Sequence, residues 1–314
     1  MVNLIDFKDL IGELFLIGLF LSLALGAVIA GKILDKRKRM KILVVGLGGV
    51  GGYLAYKLIK CGYNIDVYAT EKTNEKVKKE GLKIIDVDKE DTVYPNVGID
   101  GIYDIIFITA KSYSLDEVIN EIEGHYHNNT RIVPILNGIG HFEKFKNIGA
   151  KIVKACIYIL SNKKDVNVIY KKTPLFYMCL ENDEILKKVF EKCDLKIKFS
   201  DSIDKEIWKK YLFISTFATL QSYYDKPTGW IMENKREEVE KFLDEVINIA
   251  KSYGIDLSSE KEKVINQALN IPYESKMSMQ IDYEKGNKTE VDNLTGFLAE
   301  KSDFIKKYYD FLAK

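Results

Sequence analysis

Residues 41–51 read KILVVGLGGVG, an apolar, β-branched run followed by glycines at G-x-G-x-x-G spacing. No other stretch limits the fold of this chain as tightly. The apolar run suits a buried parallel strand. A helical pattern follows over residues 53–60, Gly62 closes it, and residues 64–69 offer a second strand. Strand, glycine turn, helix and strand together form a β-α-β unit of the kind that cradles a dinucleotide. Gly46 permits the tight turn, Gly48 lets a pyrophosphate lie against the main chain, and Gly51 lets helix and strand pack closely. Leu47, Gly49 and Val50 complete the loop, and the helix start offers free N–H groups to phosphates.

The end of the second strand chooses between cofactors. An acid there holds ribose hydroxyls, and a basic residue accepts a 2′-phosphate. Thr70 and Lys72 suit a phosphate while Glu71 suits a ribose, so the local chemistry leaves both open. Two further buried strands are expected at 104–110 and 131–136. Ligands of open parallel sheets bind at the carboxyl ends of strands, which singles out Lys111 and Asn137. A solvated loop lysine and a turn-forming asparagine before glycine are the plain alternatives. Strand signals at 151–160, 166–170 and 175–180 read as antiparallel additions to the same sheet, before a helix over 183–192.

From residue 202 the strand signals vanish. Ile203, Ile207, Lys210, Ile214 and Phe217 share one helical stripe, and residues 211–220 are almost wholly apolar. This helix should run through a core. Lys210 interrupts the stripe where the helix enters the interior. Burial lowers a lysine's pKa toward the range useful for proton transfer, whereas a lysine at a helix end can also snorkel to water. The late segment SKMSMQIDYEKGNKTEVDNLTGF holds two helical pieces around Gly286 and Asn287. Ser278 lies on the first and can be an ordinary surface residue. Glu290 falls in the first turn of the second, where the helix dipole alone accounts for an acid.

Residues 14–31 form an 18-residue run without a charge, the short limit for a membrane span. Lys32, Lys36, Arg37, Lys38, Arg39 and Lys41 follow it, which predicts an anchor with the remaining chain tethered on the cytoplasmic side. A natural start at Met40, which opens a complete domain, is the alternative. Lys and Arg total 47 against 46 acids, which gives no basic excess for a nucleic-acid partner. Cys61, Cys156, Cys179 and Cys193 form no Cys-x-x-Cys pair and have no His at ligand spacing. They read as scattered thiols in a reducing cytosol, and no metal is expected. His125 and His127 fall in a polar turn. The expected fold is α/β: a Rossmann-type dinucleotide-binding domain over 40–200 and an all-helical domain over 201–314. A candidate transmembrane helix and basic segment, 1–39, precede them.

Five segments, MKILVVGLGGVGG, TAKSY, ILNGIG, EIWKKYLF and SKMSMQIDYEKGNKTEVD, stand in an order and spacing that resembles the ketopantoate reductase (2-dehydropantoate 2-reductase) family. The likeness runs from Met40 through nearly all the remaining chain. It implies NADPH-dependent reduction of an α-keto acid, 2-dehydropantoate to pantoate in pantothenate and CoA biosynthesis. It tilts the open cofactor choice to NADP and allows a homodimer. By resemblance Lys111 lies near the nicotinamide end, Asn137 contacts substrate and cofactor, and Lys210 is the general acid. Glu290 is the active-site glutamate, Ser278 contacts the substrate carboxylate, and Ser275 lies beside it. Family members often carry asparagines four and eight residues after the lysine, where this chain has Ile214 and Ala218. Thr70 replaces a common 2′-phosphate-binding arginine, and Thr295 replaces an asparagine before the late glycine. These departures leave room for a 2-hydroxy-acid or opine-type dehydrogenase acting on another keto acid. A non-catalytic, membrane-tethered NADP(H)-binding protein is the reading from another class, and the presence of Lys210 and Glu290 argues against it.

Overall fold

The computed structural model describes Ser22 and residues 40–314. Strands β1 (Ile42–Val45), β2 (Ile65–Tyr68), β5 (Asn96–Val97), β6 (Ile105–Ile108), β7 (Arg131–Pro134) and β8 (Lys151–Ile152) form a six-stranded parallel sheet. Its order is β5-β2-β1-β6-β7-β8. All four residues of β1 and of β6 are buried, as expected of central strands covered on both faces. Helix α1 (Gly49–Lys60) crosses from β1 to β2, α2 (Glu71–Glu80) follows β2, and α3 (Leu115–Ile122) follows β6.

The strand signals after residue 150 have a different outcome from the one expected. They do not extend the parallel sheet as antiparallel strands. β9 (Ala155–Asp165) and one long strand, β10 (Val168–Glu181), join β3 (Leu82–Asp86), β4 (Lys89–Val93) and β11 (Ile197–Ser200) in a second sheet. This sheet packs on α1, whose Tyr53, Leu54, Ala55 and Leu58 are all buried. A helix apolar on so much of its circumference needs cover on both sides, and the second sheet supplies the far side. Helix α4 (Glu184–Phe190) is capped by Asp183, whose carboxylate accepts from the amides of Ile185 and Leu186 at 3.0 Å.

The remaining chain is helical. Helix α5 (Ile203–Tyr224) is the longest described and runs through the middle of the second core, with Tyr211, Leu212, Phe217 and Leu220 at most 1% exposed. It is surrounded by α6 (Thr228–Asn234), α7 (Arg236–Ser252), α8 (Lys261–Asn270), α9 (Ser278–Glu284), a π-helical turn over Asp292–Gly296, α10 (Phe297–Ala299) and α11 (Asp303–Leu312).

Two sequence expectations are corrected here. Among the described residues no helix is long and apolar enough to cross a membrane. The expected transmembrane helix and membrane tether find no support among the described residues, and the run at 14–31, apart from Ser22, lies outside them. Eighteen apolar residues sit at the short limit for a hydrocarbon core of ~30 Å, so composition alone is a weak criterion. The four cysteines are not all free: Cys61 and Cys193 form a disulfide across 132 residues, with Cα atoms 5.5 Å apart. The segments at the ends of α1 and α4 meet there, as the Lys57–Asp194 ion pair at 3.2 Å also shows, which no local spacing reveals.

An ionic bolt fastens the second sheet to α1. Lys171 of β10, 2% exposed, donates to Asp86 of β3 at 2.8 Å, and Tyr53 of α1 donates to the same carboxylate at 2.8 Å. Removing the carboxylate strands a buried ammonium. Asp86→Ala should therefore lower unfolding free energy by roughly 3 kcal/mol in denaturant titration. A loss below about 1 kcal/mol would mean that water reaches Lys171.

Candidate active site

The glycine loop has the geometry the cofactor role needs. Gly46 has φ +95° and a Cβ there would meet the Ala110 amide at 2.6 Å, so the turn admits only glycine. Thr109 at the end of β6 donates to the Gly46 carbonyl at 2.6 Å and fixes it. A Cβ on Gly51 would collide with that same carbonyl and with the Thr109 hydroxyl, which is the close helix–strand packing inferred above. Around Gly48 the opposite holds: a Cβ built there meets no atom within 4 Å. The main chain borders open space at the start of α1, and a pyrophosphate fits that space. The Leu47 side chain is buried in the core, so it can meet a dinucleotide only through its backbone, and Val50 is half-buried against the same core. At the end of β2, the Thr70 and Thr73 hydroxyls are hydrogen-bonded at 3.0 Å and Lys72 is exposed.

The helical domain docks onto the carboxyl ends of β6 and β7. Asn137 follows β7, and its side-chain oxygen accepts from Lys210 Nζ of α5 at 2.8 Å. Its backbone oxygen accepts from the Asn293 side chain. Gly138, at φ +91°, lies so close that a Cβ would meet the Asn293 carbonyl oxygen at 2.6 Å. Lys111 follows β6 and reaches across the boundary to Asp282 of α9 at 3.1 Å and to Glu290 at 3.2 Å. The Ser112 amide also donates to Glu290, at 3.3 Å. Glu290 is 5% exposed. Its carboxylate is thus held by the Lys111 ammonium and the Ser112 amide.

These contacts give the two lysines different acidities. Burial pulls the Lys111 pKa down, but Glu290 and Asp282 more than offset it and the net shift is upward. Lys210 bonds a neutral amide and lies 5.8 Å from the Tyr158 ring centre. Burial lowers its pKa below the ordinary 10.5, only partly opposed by nearby groups that include Glu290. Lys209, its neighbour, turns outward to Glu206 at 3.6 Å.

Ser278 is exposed at the start of α9. Asp282 lies four residues on, hence on the same helix face, and it meets Lys111, so Ser278 shares the face turned to the cofactor domain. Ser275 serves the scaffold through its carbonyl, which accepts from the Thr228 amide and hydroxyl at 3.0 and 2.9 Å. Ile214 packs at the edge of the helical core and Ala218 is 2% exposed. Thr295 is hydrogen-bonded to Thr219 at 2.7 Å.

Sequence reasoning missed Asp282, Asn293 and His141. Helical spacing from Ser278 and Glu290 could have flagged the first two. His141, 3% exposed, lies in the short 3₁₀ helix Gly140–Phe145 after the Asn137 loop and has no hydrogen-bond partner on either ring nitrogen. It lines a cleft of about 1050 Å³ beside Glu290, together with Ser112, Trp208, Asn293 and Phe297.

A family model described as ketopantoate reductase PanE/ApbA matches residues 42–176, and a model of that family's C-terminal part matches 202–304. The chain belongs to the ketopantoate reductase family. This is a family of NADPH-using oxidoreductases acting on CH–OH groups. A Bacillus subtilis relative named uncharacterized oxidoreductase YkpB is 30% identical over 279 residues, spanning 84% of this chain and 92% of that one. The fold is similar to 2-dehydropantoate 2-reductase from Methylococcus capsulatus, with TM-score 0.79 and 19% identity over 87% of this chain and 96% of that one. It is also similar to D-mandelate dehydrogenase with NADH and anilino(oxo)acetate, with TM-score 0.75 and 19% identity over 88% and 100%.

Burial, and next the charge of Lys210, push the His141 imidazole from 6.5 down to about 3. Its neutral form is the one the fold accepts, so the stability it permits is complete above pH 6.5 and declines as pH falls toward 3. The slope for one such group is at most about 1.4 kcal/mol per pH unit. His141→Leu should flatten this decline between pH 6.5 and 4.5 in denaturant unfolding. Parallel pH curves for the two proteins would contradict the assignment.

Proposed function

We propose that this protein reduces the C2 carbonyl of an α-keto acid with NADPH, and that Lys210 is the proton donor. The observation that carries this is the 2.8 Å hydrogen bond between Lys210 and Asn137, made at the carboxyl end of a parallel strand beside the glycine loop. Bound along that loop, NADPH supplies the hydride. As hydride reaches C2, the carbonyl oxygen gains charge and needs a proton. An ammonium has three N–H bonds, of which Asn137 takes one and leaves others to face a substrate. Its lowered pKa suits proton release. Lys111, held between two carboxylates, is a poor donor and acts as a fixed cation near the nicotinamide end. Glu290 fixes Lys111, and the Ser278 hydroxyl is available to the substrate carboxylate.

2-Dehydropantoate is the first substrate to try, by family membership. Ile214 and Ala218 favour a second reading. One and two turns beyond Lys210, they carry no hydrogen-bonding group for a substrate hydroxyl, which suits a different keto acid. NADPH oxidation across a panel of α-keto acids separates the two. Failure of every member of the panel would reject both.

Lys210→Ala should lower kcat by ~10²–10⁴-fold while Lys209→Ala changes little. In the wild type kcat should fall as pH rises through a pKa below 10.5, because the acid must stay protonated. Equal kcat for the two variants would remove Lys210 from proton transfer. Gly48→Val should abolish NADPH binding in fluorescence titration without lowering the melting temperature, because the added side chain enters space that no protein atom fills. Retained binding would move the pyrophosphate elsewhere.

A further inference from the structure

The chain lacks an arginine at the end of β2, yet it gathers cations there from a distant element. Strand β9 passes the start of α1 so closely that a Cβ on Gly49 would strike the Ser161 carbonyl. Two residues on, Lys163 reaches the start of α2 and donates from Nζ to the Thr73 hydroxyl at 2.8 Å. Thr73 is 2% exposed and its hydroxyl is also bonded to that of Thr70. Among the described residues, neither Lys163 nor Lys72 is closed into an ion pair. The nearby Asp165 is paired with Lys76 at 3.6 Å.

Such a cluster is incomplete by itself. Burial first, with Lys72 adding to it, holds the Lys163 pKa below 10.5, against a partial pull upward by Asp165. Two neighbouring ammonium groups disfavour one another until an anion lies between them. The hydroxyls of Thr70 and Thr73 add hydrogen-bonding groups at the same point. In a dinucleotide fold the end of the second strand borders the adenosine ribose, so the anion that reaches this point is a phosphate on its 2′ position.

We infer that Lys163, carried by β9 onto the start of α2, forms with Lys72 and the Thr70–Thr73 hydroxyl pair the site that recognises the 2′-phosphate of NADPH. This rests on the NADPH reading above and deepens it. The specificity-determining cation comes from the second sheet, about ninety residues downstream of the strand end where a sequence search looks for it.

Calorimetric titration of the full chain with adenosine 2′,5′-bisphosphate and with 5′-AMP tests it directly, since the two differ only in the 2′-phosphate. The wild type should bind the bisphosphate at least about tenfold more tightly. Lys163→Ala should remove most of that preference and leave 5′-AMP affinity unchanged, and Lys163→Arg should keep it. An unchanged preference in Lys163→Ala would overturn the inference. So would an equal loss for both ligands, which would mark Lys163 as a structural prop of the loop. If Lys163→Ala proves unstable, Lys163→Gln, which keeps a donor to Thr73 but no charge, must show the same selective loss. NADPH and NADH turnover by the wild type is measured alongside. An NADH preference there rejects the NADPH reading itself, whereas an NADPH preference with no effect of Lys163 rejects only the placement of the site.

Discussion

The hydrogen bond from Lys210 to Asn137 joins the longest described helix of the second domain to the loop that ends a strand of the first. Neither partner alone makes a site. Asn137 at a strand end is a turn residue until a donor reaches it, and Lys210 within an apolar stripe is a desolvated charge until an acceptor meets it. Gly138 and Asn293 set how near the two domains come, because the positive φ of Gly138 and its missing Cβ admit the Asn293 amide to the Asn137 carbonyl. The contacts of Lys111 with Asp282 of α9 and with Glu290 fasten the same two domains a strand away.

Electrostatics then divides the work between two lysines on facing elements. Lys111 lies between two carboxylates, which hold its proton. Lys210 faces a neutral amide and an aromatic ring in a desolvated position, which loosens its proton. A shared side-chain type thus meets one environment that holds its proton and one that loosens it. The unpartnered His141 lies in the same region and is kept neutral by burial and by the Lys210 charge.

Much of this was legible in the sequence because it rests on local rules. The glycine spacing, the buried strands and the stripe of α5 each follow from the period of one element, and Lys111, Asn137 and Lys210 stand at ends or breaks of those patterns. What was not legible depends on pairing between distant segments. The second sheet needs β3, which pairs with the charged strand β4, to meet β10 about eighty-five residues later. The Cys61–Cys193 bridge and the approach of Lys163 to Thr73 likewise join segments far apart in sequence. The apolar run before Met40 suggested a transmembrane helix that is absent from the described fold.

The central claim is that hydride passes to the C2 carbon of a keto acid in a site made by both domains. Deuterium at C4 of NADPH follows that atom. With NADPH deuterated on the transferred face and an accepted α-keto acid, mass spectrometry of the product should find one deuterium on C2 of the 2-hydroxy acid for each NADPH consumed. NADPH consumed without deuterium at C2, or deuterium carried to another carbon, would contradict it.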